Sequence, residues 1–560
     1  MEPSTTRPRE DRRAWRVLRY SAPVGVTLLW VSVLLAPPSL KPLVAVVVGI
    51  VTGGLALFTL AFTSVTLSAT ARHVAMAFGL GLVALLVGVF AHPVPIVSIV
   101  GVVGQHNGWL LWATAAVWFM VGARLGRGMP FRVMVWSVAV LGALAGVFAL
   151  LDAAHLVETV RWSPEVAGLM DSSISLGQVL LVGLGASTAL VAMEQSSGKR
   201  FVAGAMTFVQ LPALFVSSAR AAEIALICAA LVGILWMFGD RITPHLKRAL
   251  WGVTGLVVVA AILAIGVIAW LGPAGSGTLA GLLTDRPTIW HSAFSRVLSH
   301  LLVGEGPDRF TSIVTWAPMS DAVTWETTNS PHNVLFDWLL GGGVVALFAF
   351  VAAVVLAGMG IARRLASAGA GPKLFALGVG AWVLTLLTSW TDPLTACIAA
   401  LVIGSLLSEQ GEPTRPTVAN IAPAAVVLLA AGVVLVLVTP LFELEQGWAA
   451  DQRSRSTNRT VLETRWERWP DPAFGGEVLR ASLIGLPASA TEAGRVASEV
   501  LDRTPWDTNG AMMSLEVAVG VGRFAPSTPR PTIDRALAVG RTADPTSGIW
   551  DRAESIVKGK

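Results

Sequence analysis

Apolar positions in this chain come in long unbroken runs rather than in one-sided stripes. A helix crossing lipid takes about 20 mostly apolar residues, because every backbone amide must bond within its own segment. Runs of that kind lie near 21–36, 42–62, 74–91, 109–123, 132–152, 176–193, 201–217, 221–238, 249–270, 333–360, 374–390, 394–408 and 421–440. They predict an all-α polytopic membrane protein with twelve or thirteen transmembrane helices; closely spaced pairs around Arg220 and Asp392 leave the count open by one. Two longer polar connections, 153–175 and 271–332, separate runs, and connections of such length are usually functional. Within the second, TIWHSAFSRVLSHLL places Ile289, Phe294, Val297 and Leu301 at helical spacing, which predicts a helix along the membrane surface.

The pattern changes after residue 440. Residues 1–440 hold 25 Lys and Arg with 19 Asp and Glu, whereas residues 441–560 hold 15 and 16. A water-soluble tail is expected there. Trp469-Pro470, Pro505-Trp506 and Asp544-Pro545 recur along it, with TEAGRVASEVLDRT and PTIDRALAVGRT between them spaced like helices. This is similar to degenerate tetratricopeptide-type hairpins, which offer either a groove for a partner or a stabilising cap. The chain thus divides into a basic cytoplasmic stretch 1–20, a membrane domain 21–440 and an extracytoplasmic helical domain 441–560.

Composition agrees with the runs. Residues AVILMFWYC make up 54% and charged residues 13% of the chain, with a mean hydropathy of +0.68. Soluble domains carry about 25% charge, so lipid is the solvent here. The pI near 9.7 could point to nucleic acid, but the excess positive charge lies in short loops and marks topology instead. With the N-terminus in the cytoplasm, 19 basic residues of 1–440 fall inside, six of them before the first span, and six fall outside: Lys41, Arg161, Arg220, Arg286, Arg296 and Arg309. That bias places both long connections and the tail outside, in a multi-pass protein of the cytoplasmic membrane. The arginines before residue 20 resemble the start of a signal peptide, but Pro37-Pro38 follows without a small-residue cleavage site, so an uncleaved first span is expected. Cys228 and Cys397 both lie inside apolar runs, which excludes a disulfide framework or thiolate metal site.

Three constellations on the outer side carry candidate chemistry. Ser217-Ser218-Ala219-Arg220 puts a cation beside hydrocarbon, where it needs a partner such as Glu223 or an anionic ligand. Asp285-Arg286-Pro287-Thr288-Ile289-Trp290 precedes Gly304-Glu305-Gly306-Pro307-Asp308-Arg309-Phe310. The glycines permit a tight turn, and Arg286 offers a planar fork to phosphate or a salt bridge to Asp285 or Asp308. Trp290 reads as an interfacial anchor or, less strongly, a face for sugar stacking. Finally, Pro331-His332-Asn333 opens an apolar helix containing Gly341-Gly342-Gly343, and an imidazole there is a candidate general base.

The order of an outer Arg, R-x-x-x-W with G-x-G-x-x-x-F, and H-N opening a glycine-bearing apolar helix resembles the O-antigen ligase and polymerase family of bacterial membrane glycosyltransferases. The resemblance covers roughly 170–410 and is best over 286–343. It implies transfer of a glycan from a polyprenyl-diphosphate carrier to an acceptor hydroxyl outside the cytoplasmic membrane. The implied catalytic base is His332 and the implied diphosphate ligands are Arg220 and Arg286. Asn333, Trp290, Gly304, Gly306, Asp308 and Arg309 are implied supports. No cofactor, nucleotide sugar or essential metal is expected, and the mechanism is expected to be inverting. The implied partners are the lipid-linked glycan, a glycan, lipid or protein acceptor and membrane lipid, with the tail open to a further partner and no nucleic acid. The chain departs from the family pattern at Gly341, where an acidic residue is frequent, at Ala219, where Ser is usual, and at Glu305 between the two glycines; Met170 to Gln178 matches only loosely. Two other classes compete. A transporter or flippase for lipid-linked glycans would want ionisable residues at mid-span and broken helices in related halves. A non-catalytic assembly scaffold would use the tail for docking.

Overall fold

The computed structural model describes residues 20–37, 40–61, 67–102, 106–125, 129–157, 166–170, 172–238, 245, 263–271, 286–310, 330–408, 418–439, 441–442, 490–505, 507–522, 530–543 and 549–558. The basic N-terminal stretch, Arg161, most of the run near 249–270, Asp285, residues 311–329, Trp469-Pro470, Trp506 and Asp544-Pro545 lie outside the described residues.

The regular structure among the described residues is helical, and twelve of the thirteen apolar runs fall on helices. These are α1 (Ser21–Leu35), α2 (Lys41–Ala61), α3 (Ala69–Val89), α5 (Trp109–Leu125), α6 (Met129–Ala153), α7 (Ser173–Met193), α8 (Ser197–Val216), α9 (Arg220–Phe238), α11 (Val334–Leu365), α12 (Ala370–Thr385), α13 (Pro393–Leu407) and α14 (Val418–Leu437). Between them lie a short helix, α4 (Pro95–Val100), and α10 (Arg286–Ser299) in the long connection 271–332. Among the described residues six helices are long and apolar enough to cross a membrane, accompanied by five shorter apolar ones. The protein is an all-α, multi-pass membrane protein.

Without a hydrophobic drive between helices in lipid, close packing through small residues holds such a bundle. α7 crosses α12 where a Cβ on Gly185 would stand 2.7 Å from the Gly378 Cα. α3, α5 and α11 meet around Trp338, which stacks on Phe350 at 4.7 Å and meets Trp112 edge-on at 5.1 Å. The Trp118 indole nitrogen crosses from α5 to α2, donating to the Gly49 carbonyl at 3.0 Å. Beyond the membrane helices, α15 (Ala490–Arg503), α16 (Thr508–Gly522), α17 (Arg530–Ala543) and α18 (Ile549–Lys558) each pack on the next. They share a core of Leu501, Met512, Leu515, Leu537 and Trp550.

The helix foreseen in the 271–332 connection exists as α10, and its apolar side packs on the bundle. Ile289, Trp290, Ala293 and Val297 of α10 are buried against Phe336 and Leu340 of α11. Leu301 lies beyond the helix end and is exposed. The long helix α11 is also interrupted. Gly342 and Gly343 leave the helical conformation, Gly343 at φ 71°, where a Cβ would collide with the Leu302 carbonyl. Residues 301–307 thread this break: Glu305 N–H donates to the Leu340 carbonyl at 2.6 Å, and Val344 N–H donates to the Leu301 carbonyl at 2.9 Å. A gap that would strand backbone groups at membrane depth is thereby satisfied by protein.

Candidate active site

The turn between α8 and α9 brings Arg220 to the bundle end. Ser217 donates its hydroxyl to the Leu214 carbonyl at 2.6 Å, and Ser218 takes φ 57°, in the left-handed region. Such strain at a non-glycine residue is characteristic of functional turns. Ala219 lies against Gly177 of α7, where a glycine Cβ would come within 2.6 Å of the Ala219 Cβ. Glycine at 177 is therefore what lets this turn approach α7 so closely. Arg220 forms no ion pair with Glu223 among the described residues.

Arg286 opens α10, and its Nε donates to the Thr388 carbonyl at 2.9 Å. Arg220 and Arg286, distant in sequence, line one cavity of about 380 Å³ with Ser173, Gln178, Thr388 and Ser389. Two guanidinium groups and a rim of hydroxyls suit a polyanion such as a diphosphate.

His332 stands beside this cavity without being among its lining residues. Its backbone takes φ 51° and its N–H donates to the Ser330 Oγ at 3.0 Å. Burial, and secondarily the charge of Arg286, push its imidazole down to about 4. The ring is therefore neutral at neutral pH and able to accept a proton, as a weaker base than a free imidazole. Asn333 is a helix cap: its Oδ1 accepts from Leu335 N–H at 2.9 Å, and its Nδ2 donates to the Leu387 carbonyl at 2.8 Å. Val334 N–H donates to the Leu386 carbonyl at 2.8 Å. Three consecutive carbonyls, those of Leu386, Leu387 and Thr388, thus hold the start of α11, Asn333 and Arg286.

Trp290 needs correction. It is 1% exposed and its indole N–H donates to the Pro331 carbonyl at 3.0 Å. It is neither an interfacial anchor nor a face open to sugar; it braces the peptide preceding His332.

The remaining predicted supports gather in the turn that fills the α11 break. Gly304 and Gly306 take φ 73° and 102°, and a Cβ on Gly304 would intrude on the Gly342 and Gly343 amides. Asp308 accepts from Val102 N–H at 2.6 Å and Asn107 N–H at 3.2 Å, pinning the turn to the α4–α5 connection. Burial pushes its carboxyl up to about 6. Arg309 lies 3.3 Å from Glu305; burial lowers its pKa, opposed by Glu305 and by Asp507 from the tail. None of the four lines the cavity.

Sequence reasoning missed two features. The buried Glu305 carboxylate pairs with Arg296, Arg309 and, at 3.0 Å, His300. Gln178, buried in α7, bonds Trp382 of α12 and the segment linking α12 to α13. A polar amide inside an apolar run was the available signal for Gln178. Among the described residues no group of three or more His, Cys, Asp or Glu side chains is arranged to hold a metal ion.

Residues 205–351 match the family described as O-Antigen ligase. The matched stretch contains Arg220, Arg286, His332 and the α11 break. No curated protein matches the chain. The match supports an O-antigen ligase-like family, and with it a glycosyltransferase-like enzyme of cell-envelope glycan synthesis that takes a lipid-linked glycan in a membrane setting.

Proposed function

We propose that this protein transfers a glycan from a polyprenyl-diphosphate carrier to an acceptor hydroxyl at the outer face of the cytoplasmic membrane. The observation that carries this reading is the convergence of Arg220 and Arg286 on one cavity, beside an imidazole kept neutral by its surroundings. In the reaction the acceptor oxygen bonds to the anomeric carbon, and the bond from that carbon to the diphosphate oxygen breaks. The electron pair leaves with the diphosphate, where two guanidinium groups in a water-poor cavity stabilise the developing charge. His332 takes the proton from the acceptor hydroxyl. Direct attack inverts the anomeric configuration, and the arginines fill the role that a metal has in other phosphate chemistry.

In this reading residues 21–440 form the membrane domain, the N-terminal stretch is cytoplasmic, and residues 441–560 are extracytoplasmic. The 19 to 6 distribution of basic residues supports that orientation. A ligase moving a finished glycan and a polymerase extending one use the same chemistry and differ only in the acceptor. A transporter gains some support from the interrupted α11, but the backbone groups freed at that break are bonded by residues of the 301–307 segment, which favours a static junction.

The test is single-turnover transfer from a purified lipid-linked glycan by the full chain in nanodiscs, with excess chelator. Transfer that persists with chelator and is lost in His332→Ala is expected. Strict dependence on added magnesium or manganese, or near-normal transfer by His332→Ala, refutes the mechanism. Variants that turn over normally while glycan export falls would put a transporter in its place.

A further inference from the structure

Arg286, Asn333 and the first residue of α11 all hang from one short turn, residues 386–388, so whatever fixes that turn fixes the site. Its far end is held by one side chain. Gln178 Nε2 donates to the Trp390 carbonyl at 2.6 Å and reaches the Ser389 Oγ at 3.4 Å. Gln178 Oε1 accepts from the Trp382 indole N–H at 3.1 Å and from Asp392 N–H at 3.2 Å. A carboxamide offers two donor hydrogens and two acceptor lone pairs, and these four contacts use all of them. Gln178 is 1% exposed. Although it borders the cavity, its bonding capacity is spent on protein.

The rest of the turn is secured from both sides. Ser389 donates its hydroxyl to the Thr385 carbonyl at 2.6 Å. The Asp392 carboxylate caps α13, accepting from Thr395 N–H at 2.7 Å. Gln178 ties this turn to α7, the helix whose other residues Ser173 and Gly177 adjoin the cavity and the Arg220 turn.

We propose that Gln178 is a positioning residue for donor binding: by locking the 386–392 turn to α7, it sets the distance between the Arg286 guanidinium and the Arg220 turn. Gln178 holds Arg286 through the Thr388 carbonyl and never touches the donor. The proposal rests on the diphosphate reading of the two arginines.

Farnesyl diphosphate is the probe, and its binding is measured to the full chain in nanodiscs for the parent, Arg286→Ala, Gln178→Met and the double variant. Met keeps the volume of Gln178 and removes all four bonds. Gln178→Met is expected to weaken binding about tenfold, and the double variant to bind no more weakly than Arg286→Ala alone, as coupled residues do. A second readout is the His332 imidazole titration by NMR, assigned by its loss in His332→Gln. As Arg286 leaves its seat, that titration should move up from about 4. A purely structural role would lower thermal stability and add to Arg286→Ala without moving the titration, which would overturn the proposal. Parent-like binding by Gln178→Met, with binding lost in Arg286→Ala, would overturn it as well. Parent-like binding by Arg286→Ala would defeat the diphosphate reading itself. Should Gln178→Met not fold, Trp382→Phe removes one of the four bonds and carries the same comparison: weakened, non-additive binding supports the positioning role and parent-like binding overturns it.

Discussion

The backbone N–H of Val344 donates to the carbonyl of Leu301 across the interruption in α11, at 2.9 Å. A loop residue therefore completes the hydrogen bonding of a membrane helix, and the loop containing Gly304 and Gly306 is built into the bundle. The glycines singled out in sequence as a ligand turn serve this junction. Gly343 sits at φ 71° with the Leu302 carbonyl where a Cβ would go.

Gly343→Ala should destabilise the protein by about 1–3 kcal/mol through that backbone conformation alone, with more from the collision. Gly358→Ala, in the same helix with open space around it, should be neutral. Thermal unfolding of detergent-purified protein, read by size-exclusion, separates the two; equal midpoints would mean that the interruption is not needed.

Glu305→Gln should cost about 3–5 kcal/mol, the usual penalty for breaking a buried ion pair. The carboxylate is 1% exposed and serves Arg296, Arg309 and His300, so its loss leaves buried cations uncompensated. A variant as stable as the parent would show that this cluster contributes little to folding.

Activity should persist well into acid. His332 is pushed down to about 4 by burial first and by Arg286 second, so the neutral base is lost only as pH falls through that region. The acid limb of kcat/KM, which reports the free enzyme, should lie near 4. In Arg286→Ala the limb should move up, because the repelling charge is gone while burial remains. A limb near 6.5 in the parent would contradict this setting for His332.

Arg286→Lys should restore only part of the donor affinity lost in Arg286→Ala. The Nε donor to Thr388 and the planar fork both vanish, and a point charge replaces neither. Titration with farnesyl diphosphate checks this; full rescue by Lys would reduce the role of Arg286 to charge alone.

A phosphatase reporter fused after Lys560 should be active and a cytoplasm-only fluorescent reporter dark. The reverse pattern would mean that the number of spans is even.

The helical runs were legible because a membrane helix announces itself by composition over its whole length. Arg220 was legible as a candidate because a cation bordering such a run needs a reason, and Arg286 and His332 were legible as candidates only through the motif order around them. The role of Trp290 was not, since indole suits an interface and a core equally and only the Pro331 carbonyl decides between them. Asp308 and Arg309 entered only as supports implied by the family pattern, and their partners Val102, Asn107 and Glu305 come from contacts a linear pattern does not encode. The Leu386 to Thr388 carbonyls were invisible for a deeper reason: every residue type has a carbonyl, so no side chain marked the turn.

That anonymity shapes how the chain can diverge. Leu386, Leu387 and Thr388 hold Val334, Asn333 and Arg286 with atoms that substitution does not change. Consecutive Cα atoms are about 3.8 Å apart, so a single inserted or deleted codon between Thr385 and Trp390 would offset each acceptor from its donor by roughly a residue. Drift in this turn is thus cheap in spelling and costly in length, and related chains should vary freely in its letters while keeping their number.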